Sequence, residues 1–178
     1  MCTSYFNKFL KRSFSRLSGG VNSFANLGRF YEEKCQQVLA DKFDTTVKLV
    51  GGANDGGVDL FWSKQLESGK NLQFIGQCKQ KISTKIGPSV CRELMGSLAN
   101  RPEGTVGCLI SNRRPTAQCL ETLVKSPLPL IYFMINEYDN CDRIYEIVPN
   151  SIFLKQNPEF QILPIRNPHR IHYTFRLR

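Results

Sequence analysis

Residues 1–31 contain no aspartate or glutamate, although Lys8, Lys11, Arg12, Arg16 and Arg29 lie among them. Serines recur at 4, 13, 15, 18 and 23, and Phe6, Phe9, Leu10, Phe14 and Leu17 form an apolar stripe at roughly helical spacing. A secretory signal needs an unbroken apolar core behind its basic residues, and Lys8, Lys11 and Arg12 interrupt any such core. An acid-free, Arg-rich and Ser-rich start has instead the makeup of an organelle transit peptide. Residues 1–22 therefore read as a mitochondrial targeting segment, set apart from the fold and directing the chain to the matrix. The competing reading is a basic arm that touches nucleic acid.

Long apolar runs are also missing. None approaches the ~20 residues a membrane-spanning helix requires, so no membrane span is expected. The seven cysteines (2, 35, 78, 91, 108, 119 and 141) are odd in number and contain no C-x-x-C pair. That spacing argues against a zinc knuckle or a redox dithiol, and the thiols read as reduced, buried core residues. Both histidines, His169 and His172, fall in the tail, so no histidine is near in sequence to activate Cys78 as a nucleophile. No internal repeat or low-complexity tract is visible.

What is present fits one domain of 178 residues with a core of its own and a formal net charge of +9. Setting aside Lys8, Lys11, Arg12 and Arg16 leaves +5, so the remainder is still basic. Residues 164–178 add Arg166, Arg170, Arg176 and Arg178 with the two histidines and no acid. This suits phosphate contacts on a polyanion, or simply a solvated basic tail.

Along the chain, Leu27, Tyr31, Cys35, Val38 and Leu39 recur at helical spacing, predicting a helix from Asn26 or Gly28 to about Lys42. Glu32 and Glu33 fall in its first turns, where the helix dipole alone would explain them. Residues 45–50 alternate as a first strand. Gly51-Gly52 and Gly56-Gly57 then bracket Asn54-Asp55 as a turn, Asp59 opens a second strand, and residues 72–78 form a third. Pro88 is placed to begin a helix reaching about Asn100. Residues 105–111 and 128–135 are apolar enough for strands covered on both faces, with a helix over 116–125 between them. Residues 143–148 and 172–177 suggest edge strands, and 150–167 show no clear pattern. The order predicts an α/β fold with a mixed central sheet flanked by helices.

The chemistry concentrates in residues 51–81. Asp59 lies early in the apolar run Val58-Asp59-Leu60-Phe61-Trp62, where an uncompensated carboxylate is costly. In the following run Gln77 and Lys79 are two apart, so a strand projects both to one face. If the two runs pair as a hairpin, Asp59 can face the same site. A carboxylate, an amide carbonyl and a lysine converging at a strand end suit metal-assisted phosphodiester chemistry. The plainer alternative makes Lys79 the solvated end of a strand, continuous with Lys81 and Lys85. Ser111, Asn112, Arg113 and Arg114 read either as a phosphate-binding loop or as no more than a loop and helix cap.

Tyr31-Glu32, Gly57-Val58-Asp59, Gln77-Cys78-Lys79, a helix carrying Arg92-Glu93-Leu94 and a strand ending near Ser111 together resemble the Mrr-type branch of the restriction-endonuclease-like PD-(D/E)XK nucleases. The resemblance covers roughly residues 27–135, within a core of 23–140, and leaves 141–178 as a basic carboxy-terminal extension, read as edge strands of the same domain. With the targeting segment, the chain also looks like the fungal mitochondrial proteins named for being required for respiratory growth. The resemblance implies a restriction-endonuclease-like three-layer core and Mg²⁺- or Mn²⁺-dependent DNA cleavage in mitochondrial DNA maintenance. It implies metal binding by Asp59, Gln77, Glu32 and the Cys78 carbonyl, with Lys79 orienting the attacking water or stabilising phosphate charge. It further implies DNA as partner and dimerisation to cut both strands, though no interface is legible, and no small-molecule cofactor. Gln77 stands where most of the superfamily has an acid; the lost charge should weaken metal binding and slow hydrolysis. The rival class is a nuclease-fold protein that binds nucleic acid with little or no cleavage.

Overall fold

The computed structural model describes residues 23–52, 56–81, 83–136, 143–167 and 170–177. The targeting segment and the Asn54-Asp55 turn lie outside them, as do His169 and Arg178 of the basic tail. A long helix α1 (Ser23–Phe43) precedes a short strand β1 (Lys48–Leu49) and the hairpin of β2 (Leu60–Gln65) and β3 (Asn71–Lys79). Then follow α2 (Pro88–Leu98), β4 (Val106–Ser111), α3 (Ala117–Val124) and β5 (Leu130–Ile135). The chain closes with β6 (Ile144–Pro149), α4 (Ser151–Gln156), β7 (Phe160–Asn167) and β8 (Arg170–Leu177).

The strands form one mixed eight-stranded sheet in the order β1-β2-β3-β4-β5-β6-β8-β7. β3, β4 and β5 run parallel, and the remaining pairs are antiparallel. Parallel neighbours need a long crossover, which α2 and α3 supply. Pro88 occupies the first turn of α2, where its missing N–H and fixed φ cost nothing. The Thr116 side chain accepts the Cys119 amide at 3.2 Å to cap α3. The mixed sheet between helices is therefore the one the order of elements predicts.

Two clusters fill its faces. On one, α1 packs Tyr31, Cys35, Val38, Leu39 and Phe43 against Leu60, Trp62, Phe74, Cys108, Ile110 and Phe133. Phe43 is the hub of this face, with ring centroids 5.3 Å from Trp62, 4.9 Å from Phe74 and 4.6 Å from Phe175. On the other, Cys91 and Leu94 of α2 and Cys119 and Leu123 of α3 cover Ile75, Leu109 and Tyr132. All six residues of β4 are buried, as a strand covered on both sides requires. Gly107 permits this closeness, because a Cβ there would lie 2.7 Å from both Leu98 and Leu130.

The carboxy-terminal region differs from the sequence expectation. β6 pairs with both β5 and β8, and the edge of the sheet is β7, a strand within the stretch that showed no pattern. α4 lies in that stretch too. Its cap, Asn150, is wholly buried and also accepts the Leu130 amide at 3.1 Å while donating to the Leu128 carbonyl at 2.7 Å. The determinants here are a single polar side chain and long-range strand pairing, neither of which leaves a periodic signature.

Candidate active site at the end of β3

The β2–β3 register pairs Leu60 with Gly76, and the Asp59 amide continues it by donating to the Gly76 carbonyl at 2.9 Å. Two residues further along β3, at Cys78, the chain has passed the start of β2 at Leu60. The Asp59 carboxylate stands there, with Oδ2 accepting the Cys78 amide at 2.6 Å, a short charge-assisted bond. The N–H and C=O of one strand residue point to the same neighbouring strand, so the Cys78 carbonyl also faces the Asp59 side. Asp59 thus sits one hydrogen bond from the main chain between Gln77 and Lys79.

Gln77 follows Ile75 on the α2 face and is wholly buried. Neither its Oε1 nor its Nε2 has a hydrogen-bond partner among the described residues. Gly57, at φ 78°, makes room for it: a Cβ there would lie 2.8 Å from Gln77 Nε2 and 3.3 Å from Glu93 Oε1. Lys79, two residues on, places Nζ 3.7 Å from Glu93 Oε2, its side chain 29% exposed. Gln77 and Lys79 therefore both border Glu93, an exposed carboxylate of α2. Glu93 belongs to the Arg92-Glu93-Leu94 motif, and the sequence assigns it no role. The signal that singles it out is spatial, since one helix of the crossover returns it over the strand end.

Glu32 is carried by α1, which covers the opposite face, and its charge reaches Cys78, whose thiol packs on that side. Burial pushes the Cys78 thiol up, followed by its hydrogen bond with Cys35 and the negative charges of Asp59 and Glu32. That makes Cys78 a protonated, weakly nucleophilic thiol. Because α1 starts at Ser23, Glu32 and Glu33 are in its middle rather than its first turns. The helix dipole acts only near the terminus, so it does not account for them. Both instead pair with Arg29 at 3.7 Å. Cys35, Cys78, Cys91, Cys108 and Cys119 are all free. Among the described residues no three or more His, Cys, Asp and Glu gather in a group able to hold a metal, and no helix is long and apolar enough to cross a membrane.

Fold and site together describe an α/β protein with its polar constellation at the carboxyl end of a central strand. Residues 61–157 match the family model described as Required for respiratory growth protein 7, and the chain belongs to that family. Gln77, Cys78, Lys79 and Glu93 fall inside the matched region, and Glu32 and Asp59 precede it. The chain is 25% identical over 167 residues to the mitochondrial Required for respiratory growth protein 7 of Vanderwaltozyma polyspora, covering 67% of each chain. It is 35% identical over 143 residues to an uncharacterized mitochondrial protein of Schizosaccharomyces pombe, covering 78% of this chain and 56% of that one. Both relatives are named as mitochondrial, in agreement with the mitochondrial localisation read from the amino-terminal segment. Among solved structures, the chain is similar to the MspJI restriction endonuclease in complex with a 27-mer oligonucleotide. The TM-score is 0.48 and the identity 18%, with 58% of this chain and 25% of that one covered.

Proposed function

We propose that this protein hydrolyses phosphodiester bonds of mitochondrial DNA as a Mg²⁺-dependent endonuclease, in support of DNA maintenance and respiratory growth. The observation that carries this reading is Gln77. A buried amide left without partners costs roughly 1–3 kcal/mol, and this one sits beside a lysine and a carboxylate at a strand end. Such a cost, set among charged groups, is expected where a ligand completes the bonding.

The donor set fits a hard cation. Mg²⁺ takes oxygen ligands and needs only one or two carboxylates because it keeps several waters. Asp59, the Gln77 Oε1 and the Cys78 carbonyl would hold it, with Glu93 restoring the charge that glutamine lacks. Glu32, from α1, would bind the cation directly or through water. The cation would lower the pKa of a bound water and offset phosphate charge. The chain's own part is to fix geometry. The Cys78 amide anchors the Asp59 carboxylate, burial fixes Gln77, and Glu93 holds the Lys79 ammonium where it can donate to the attacking water or a phosphate oxygen. Hydrolysis then adds water across one P–O bond, and the departing sugar oxygen takes a proton. Two copies acting together would cut both strands.

Glutamine in place of an acid at position 77 favours a second reading, a nucleic-acid-binding protein with weak or no cleavage. The two are separated by incubating the full chain with linear, supercoiled, single-stranded and branched DNA, with Mg²⁺, Mn²⁺ or EDTA. Cleavage that needs metal and is lost in Lys79→Ala and Asp59→Ala supports the enzyme. Salt-sensitive binding without cleavage on any substrate supports the binding protein. Variants that cut as well as the parent chain would show the site is misassigned.

A further inference from the structure

Beyond the ends of β3 and β4 two loops are fastened to each other. The Asn112 side chain accepts the Lys81 amide at 2.9 Å and donates to the Lys81 carbonyl at 3.0 Å. Arg113 Nε donates to the same carbonyl at 3.0 Å. From beneath, the Ser111 hydroxyl donates to the Arg113 carbonyl, and so does the Tyr132 hydroxyl at 3.1 Å, both from wholly buried residues. The backbones of residues 81 and 113 are thus held by five hydrogen bonds at the protein surface.

The charges they carry are treated differently from those nearby. Arg114 pairs with Glu146 at 3.0 Å and Lys79 with Glu93 at 3.7 Å. Lys81 and Arg113 have no ion-pair partner among the described residues, and Arg113 is exposed. With Nε committed to the Lys81 carbonyl, the guanidinium keeps both terminal NH₂ groups for an outside acceptor. The register sets Ser111 opposite Lys79, so this rim adjoins the end of β3 that carries Gln77.

We infer that Lys81 and Arg113 form a preorganised phosphate-binding pair that holds the nucleic-acid backbone next to the phosphate presented at Gln77. The inference rests on the phosphodiester reading of that site and names how its substrate is gripped. A planar guanidinium matches phosphate geometry, and fixing the loops beforehand lowers the ordering cost of binding.

The test is binding of a fluorescently labelled DNA duplex by the full chain in EDTA, followed by anisotropy between about 50 and about 200 mM salt. Lys81→Ala and Arg113→Ala should each lower the slope of log affinity against log salt by about 1, and the double variant by about 2. Lys125→Ala removes a cation beyond the far end of α3 and should leave the slope unchanged. Circular dichroism melts confirm that each variant is folded. A double variant with the parent slope overturns the inference, as does a parent chain without salt-sensitive binding, or Lys125→Ala matching the rim variants. Because EDTA removes cleavage from this measurement, absence of hydrolysis in the separate Mg²⁺ assay would sink the enzymatic reading while leaving the pair standing.

Discussion

Trp62 and Gln77 lie on neighbouring strands of one hairpin, both wholly buried, and among the described residues the Trp62 indole N–H and both ends of the Gln77 amide have no partner. Their surroundings are opposite. Trp62 stacks on Phe74 with ring centroids 5.0 Å apart and planes 3° apart, and Phe43 meets it edge-on at 5.3 Å. One orphaned indole N–H is a small loss against the apolar area that such a ring buries. Gln77 has little apolar area to offset its loss, forfeits both ends of its amide, and borders Glu93. The aromatic face therefore tolerates an unsatisfied group as a by-product of packing. At the strand end the same kind of deficit has no packing return, and a ligand is the physical reason to retain it.

That contrast is open to breaking. The largest effect is expected on the aromatic side: Phe43→Ala empties the hub of that cluster and should cost about 3–5 kcal/mol in chemical denaturation. Any loss of cleavage should then follow the unfolded fraction and disappear when folded protein alone is counted. Next comes Gly57→Ala, which meets a positive φ and Gln77 Nε2 at 2.8 Å at once. A destabilisation of about 1–3 kcal/mol is expected, together with loss of metal affinity by calorimetry, because the amide must move. A full-affinity Gly57→Ala would show that Gln77 is not held for a ligand.

The smallest effect is one of pH and belongs to the face between α2 and the sheet. Burial, then the neighbouring Cys119, raises the Cys91 thiol from its ordinary 9.0 to about 11, with Arg92 opposing. The folded state therefore holds this proton more tightly than the unfolded chain. Its contribution is complete below about pH 9 and is lost as pH rises towards 11. Urea midpoints measured across that window should fall, and fall less steeply in Cys91→Ala.

Much of this molecule can be read from short-range patterns. The helical spacing of Tyr31, Cys35 and Leu39, Pro88 at the start of α2 and the unbroken apolar β4 each rest on local chemistry, and each element lies within a few residues of its expected place. Gln77 and Lys79 could be set on one face because a strand's alternation is local too. The edge assignment failed because β7 is identified only by pairing with β8. Glu93 has no local signal, because its nearness to Gln77 depends on the path of a crossover helix. The dipole explanation of Glu32 gave way once α1 began several residues earlier than its apolar repeat. Asn112 reads from sequence as part of a phosphate-binding loop or of a plain loop and cap, and its two bonds to Lys81 span a distance the sequence does not express.

The central claim is that the buried Gln77 amide is kept for function at the expense of stability. Gln77→Leu removes the orphaned amide at nearly constant volume, so its stability and its activity should be measured side by side. The account predicts a protein about 1 kcal/mol or more stabler than the parent, with metal binding and DNA cleavage lost. A Gln77→Leu protein that still cleaves like the parent, or one that is less stable, would contradict it.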